Sequence, residues 1–140
     1  MELDKSKKYS IVGVPKSGTS SLGEYMRKYK FDVIEDEMWF MDAKKYYQMD
    51  KERLNRIPII ITRNPIERVW SHYYFFKESL KKSCECSKYA KYIKTWNNPI
   101  IFKLECLKKL EDFPHHNENT TKPKLDYTSK VKIMRELYGG

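Results

Sequence analysis

Cysteine, glycine and proline are scarce in this sequence: three, five and six residues respectively among 140. Three cysteines (Cys84, Cys86 and Cys106) are too few, and odd in number, for the disulfide framework of a small secreted domain. Cys84 and Cys86 lack a second pair at zinc-ligand spacing, so a reduced intracellular protein is the expectation. Long hydrophobic runs are absent, and none approaches the roughly 18 apolar residues of a membrane-spanning helix. Met1 to Ser10 is polar and charged, without the apolar stretch of a signal peptide. A soluble, cytoplasmic chain is therefore expected. No internal repeat or low-complexity segment stands out. Acidic residues fall short of basic ones, 19 Asp+Glu against 28 Lys+Arg, leaving a net charge of +9.

Aromatic residues, by contrast, are plentiful at 14%, with 11 tyrosines, which argues against disorder. A length of 140 residues fits one domain, residues 1–140, with a core of its own. The positive balance suits a polyanion. Its densest stretch, Lys77 to Lys94, holds six Lys and two Glu and reads either as a solvated helix face or as a docking surface for an acidic substrate. The lysines are otherwise spread along the chain, and no nucleic-acid partner is expected.

Tyr9–Val14 reads as a strand ending in a Gly/Ser loop, followed by a helix over Thr19–Tyr29 with Leu22, Met26 and Tyr29 on one face. Phe31–Ile34 reads as a second strand and Ala43–Asn55 as a helix. Ile57–Thr62 is a continuous apolar run of the kind buried on both faces of a parallel sheet. Asn64 and Pro65 then make a good helix start, and Ile66, Val69, Tyr73, Phe76 and Leu80 form an amphipathic stripe beyond it. Ser87–Trp96 is read as helical, Ile100–Leu104 as a strand, Phe113–Lys124 as a loop and Tyr127–Tyr138 as a final helix. Strands alternating with helices predict an α/β domain with a mainly parallel central sheet flanked by helices.

Two strand-to-helix corners carry chemistry. Gly13–Leu22 reads GVPKSGTSSL. Its small residues let the backbone approach an anion, the helix start points free N–H groups at it, and Lys16 adds a full charge. Ser17, Gly18, Thr19, Ser20 and Ser21 complete a phosphate cradle. It is not the ATP/GTP-type loop, because Thr19 stands where that pattern has its lysine, and no magnesium-ligating carboxylate is evident. The second corner, Ile61–Tyr73, reads ITRNPIERVWSHY. Arg63 ends a strand, where open parallel sheets bind ligands, and Ser71 returns to the helix face of Asn64. Together they can hold a second phosphate. Arg68 shares that face and is a further candidate for the phosphate; taken alone, it reads instead as a surface ion-pair residue.

These two stretches, in this order, resemble the 5′-phosphosulfate loop and the 3′-phosphate motif of sulfotransferases that use 3′-phosphoadenosine 5′-phosphosulfate (PAPS). The look is nearest to the glycan-modifying, heparan-sulfate type. Glu35–Met41 (EDEMWFM) resembles the acidic-pair segment of that family, which makes Glu37 the base and Asp36 its neighbour; Asp36 and Met41 depart from the usual residues. Ile100–Leu107 resembles the late strand with a Glu before a Leu, and Pro114–Asn117 with the Tyr127–Tyr138 helix resembles the end of the domain. The resemblance implies a three-layer P-loop-type fold, minimal or truncated on the acceptor side. It further implies PAPS as donor, 3′-phosphoadenosine 5′-phosphate (PAP) as product, no metal, and a hydroxyl or amine acceptor such as an acidic glycan. By the same match Lys16 stabilises the departing phosphate oxygen, and Arg63 and Ser71 hold the 3′-phosphate. The competing readings are a degenerate module that binds PAPS, PAP or a polyanion without turnover, and a nucleotide kinase, against which the missing lysine after Gly18 argues. His72, the adjacent His115 and His116, and Trp39, Trp70 and Trp96 read as structural rather than as catalytic, metal or base-stacking groups.

Overall fold

The computed structural model describes residues 3–36, 55–96, 98–115 and 123–139. Four strands, β1 (Lys8–Val12), β2 (Asp32–Asp36), β3 (Ile57–Thr62) and β4 (Ile100–Lys103), form one sheet of order β2-β1-β3-β4. Every neighbouring pair is parallel. The helices are α1 (Thr19–Lys28), α2 (Pro65–Phe76), α3 (Leu80–Glu85), α4 (Leu104–Leu107) and α5 (Tyr127–Tyr138), with a 3₁₀ segment at Cys86–Thr95. This is an α/β domain with an all-parallel sheet flanked by helices, consistent with three layers.

The strand pleat sorts side chains to the two faces. Tyr9 and Ile11 of β1, with Ile59 and Ile61 of β3, pack against Leu22, Tyr25 and Met26 of α1 in the main core. Val12 and Ile60 lie beside Trp96 around a small void of about 30 Å³. A second cluster joins Val69 and Trp70 of α2 to Cys84 of α3 and Ile133 of α5. Trp70 and Trp96 are both buried, as core residues should be; Trp39 lies outside the described residues.

Two local differences from the sequence reading have physical causes. The stripe expected to run on to Leu80 breaks at Lys77, which takes a left-handed conformation (φ 54°) and ends α2. Ser79 then caps α3, its Oγ accepting the Lys82 N–H at 3.1 Å. Leu80 still packs on the Val69/Trp70 cluster with Ile66 and Tyr73, but Phe76, the remaining member of the stripe, is exposed at the end of α2. The strand expected over Ile100–Leu104 ends at Lys103, and Leu104 opens the short α4 with its side chain against Gly18. The helix expected over Ala43–Asn55 falls at residues 43–54 outside the described residues.

Candidate functional site

The strand order dictates where a crevice forms. The chain runs from β1 outward to β2, returns past β1 to β3, and continues the other way to β4. Connections leaving β1 and β3 in opposite directions leave a gap at their carboxyl ends, the switch point where open sheets bind ligands. The two singled-out corners, after Val12 and after Thr62, lie at that gap.

The first corner is a tight loop. Lys16 and Gly18 are both left-handed (φ 67° and 96°), and the Ser17 N–H bonds the Val14 carbonyl at 3.2 Å. Two left-handed residues on either side of Ser17 bend the backbone sharply just before α1. The left-handed φ of Gly18 favours glycine there; a Cβ at Gly18 would meet Leu104 Cδ1 at 2.6 Å and one at Gly13 would meet Thr19 Cγ2 at 2.8 Å, so either side chain would have to shift. α1 begins at Gly18 with no side-chain cap and no acidic residue in its first turn. By contrast, Asn64, Ser79 and Asp126 cap α2, α3 and α5. The first N–H groups of α1 thus lack a side-chain acceptor and share the positive end of the helix. Ser17 and Ser21 are buried, Gly18 and Thr19 half-buried, and Ser20 exposed.

The second corner grips the first. Arg63 Nη1 donates to the Lys16 carbonyl at 2.9 Å, and Arg68 Nη1 donates to the Pro15 carbonyl at 3.1 Å. Left-handed backbone at a non-glycine costs about 1–2 kcal/mol. The Arg63 bond helps hold Lys16 there. Asn64 caps α2 by accepting the Ile66 and Glu67 N–H groups at 3.0 and 3.3 Å. Its own N–H donates to Glu105 Oε1 at 2.8 Å. Burial pushes the Glu105 pKa up, but N–H groups from Asn64 and Glu105 itself, with the Arg63 charge, hold it below the usual carboxylate value. Glu105 therefore stays ionised at neutral pH and fastens the β3 corner to α4.

A cleft of about 430 Å³ opens here, with Ser17, Arg63, Arg68, Ser87, Lys88 and Tyr138 among its walls. That lies within the ordinary range for small-molecule sites. Lys16 sits beside the cleft with its ammonium 3.9 Å from the centre of the Phe75 ring. Ser71 is buried at 5% exposure in α2 and is not part of the cleft wall. Asp36, also buried, ends β2 in register with Val12, so the acidic-pair segment leaves the sheet at the edge where the Lys16 loop starts. Glu35 is engaged by Arg27 at 3.0 Å. Glu37, the expected base, lies outside the described residues.

Arg68 corrects the sequence reading. It is neither on the surface nor in an ion pair: it is 4% exposed and bonded to carbonyls and a hydroxyl. Its i+4 neighbour His72 is buried too, with Nδ1 2.7 Å from Ser83 Oγ. Burial, then the Arg68 charge, pull the His72 pKa below 6.5. Burial raises the pKa of both Cys84 and Cys86, which keeps these thiols protonated and poor as nucleophiles. All three cysteines are free.

The residues present suit a phosphate-bearing ligand: a tight glycine-containing loop, an uncapped helix start, and two lysines and two arginines around a cleft of ligand size. Compared with models of protein families, with characterised proteins and with solved structures, the chain matches none.

Proposed function

We propose that the chain transfers a sulfuryl group from PAPS to a hydroxyl or amine acceptor. The observation that supports this most is the Arg63 bond to the Lys16 carbonyl, which makes the two phosphate-type corners one site at the switch point. A nucleotide with phosphates at both its 5′ and 3′ positions is the ligand class that uses both corners at once.

In this reading the loop N–H groups, Ser17 and Thr19 hold the 5′-phosphate, while Arg63 with Ser71 holds the 3′-phosphate. Ser71 has least support, being outside the cleft wall. PAPS supplies the sulfuryl group on a phosphate leaving group. The acceptor oxygen or nitrogen forms a bond to sulfur as the sulfur–oxygen bond to the 5′-phosphate breaks, and the electron pair stays on the phosphate oxygen. Lys16 stabilises that developing charge, and Glu37 takes the acceptor proton. Most of the rate gain then comes from positioning and electrostatics. An acidic glycan suits the exposed amines of Lys77, Lys81, Lys82, Lys88 and Lys91.

The test is PAP release from PAPS with a panel of glycans, peptides and small alcohols. Lys16→Ala is expected to lower turnover about 10²–10³-fold with the nucleotide still bound. Binding without turnover on any acceptor would favour the non-catalytic module instead.

A further inference from the structure

Arg68 carries a full charge into the interior, and no carboxylate among the described residues bonds to it. Its three bonds go to the Pro15 carbonyl (3.1 Å), the Ser83 carbonyl (2.7 Å) and the Ser87 hydroxyl (2.6 Å). None of these acceptors is charged. A buried cation in such company is costly, since carbonyl dipoles offset only part of the lost hydration.

What Arg68 grips is informative. Pro15 precedes Lys16 in the phosphate loop, and the next carbonyl, that of Lys16, is held by Arg63. Two consecutive carbonyls of the loop are therefore turned toward guanidinium groups of the second corner. Across a trans peptide the N–H points opposite to the C=O. Fixing the Pro15 carbonyl on Arg68 therefore directs the Lys16 N–H away from Arg68. Through Ser83 and Ser87 the same guanidinium ties the loop to α3 and to the 3₁₀ segment, and Ser87 is itself a wall of the cleft. The fork-shaped group is suited to this; a lysine ammonium is a point charge and cannot span the same three acceptors in one plane.

We infer that Arg68 is a positioning residue of the anion-binding loop: it sets the peptide planes around Pro15 and Lys16 from behind and does not ligate the bound phosphate. The identity of the ligand rests on the proposed function; the role of Arg68 in shaping the loop does not.

The experiment compares wild type, Arg68→Lys and Arg68→Met. Hydrogen exchange of the ligand-free protein is followed in β3 and at the Ser17 and Leu22 amides, which bond the Val14 and Gly18 carbonyls. Affinity is measured for inorganic pyrophosphate, for adenosine 5′-phosphosulfate and for adenosine 3′,5′-bisphosphate. Both variants are expected to speed exchange at Ser17 and Leu22 about tenfold while β3 is unchanged. They are also expected to weaken all three ligands by a common factor of about ten. A loss confined to the bisphosphate would overturn the inference, because Arg68 would then contact the second phosphate itself. Unchanged exchange at Ser17 and Leu22, or a parallel rise across β3, would overturn it too. Arg68→Lys keeps the charge and carries the comparison where Arg68→Met fails to fold. Pyrophosphate binding by a wild type that takes neither nucleotide would sink the sulfotransferase reading, yet the exchange and pyrophosphate measurements would still decide the role of Arg68.

Discussion

At the scale of single residues, the site is a set of cations with different tasks. Lys16 is a charge beside the cleft seated over the Phe75 ring, Arg63 bridges the two corners, and Arg68 is buried behind the loop. His72 adds a consequence that stability measurements can read. Its folded-state pKa lies below the free value of 6.5, chiefly through burial. As the pH falls through 6.5 the unfolded chain takes up a proton that the folded chain does not yet accept. Stability tied to His72 is thus present above pH 6.5 and is lost as the pH drops below it. We expect Tm to fall between pH 7 and pH 5 more steeply in wild type than in His72→Asn, which can still bond Ser83. Parallel curves would remove His72 as the cause.

At the scale of elements, the start of α1 is where sequence and geometry meet most tightly. Gly18 is left-handed, and a methyl group on it would meet Leu104 Cδ1 at 2.6 Å, so that side chain would have to move. Gly18→Ala is expected to cost about 1–3 kcal/mol of stability, read as a lower urea midpoint, and to weaken phosphate binding. A midpoint equal to that of wild type would show that the loop relaxes without penalty. Elements with unambiguous patterning were legible in the sequence: the apolar run of β3 predicts the observed Ile57–Thr62, and α5 spans the expected Tyr127–Tyr138, although the residue it buries is Ile133 while Tyr127, Met134 and Tyr138, expected to share its apolar face, are exposed. The break between α2 and α3 was harder to read, because Lys77 adopts the left-handed cap without the glycine that usually signals it. Only Ser79, a good cap residue two positions on, marks the restart. The role of Leu104 was not legible, since it depends on a strand end meeting a loop distant in sequence.

At the scale of the whole molecule, strand order sets where the two corners meet. With β1 and β3 adjacent and parallel, both loops emerge on one edge, and one ligand can touch both. The sequence anticipated this through the two motifs, GVPKSGTSSL and ITRNPIERVWSHY. It did not anticipate that the second motif's arginines reach back to the carbonyls of the first, because spacing along a helix says which face a residue occupies and not what lies across from it. The central claim is that one ligand with two phosphates bridges the corners. Titration calorimetry with adenosine 3′,5′-bisphosphate and with adenosine 5′-monophosphate tests it most directly. The account predicts that the bisphosphate binds at least about tenfold more tightly, as a charge-assisted contact to the second phosphate should provide, and that Arg63→Ala abolishes the difference. Equal affinities in wild type, or no binding of either nucleotide, would contradict it.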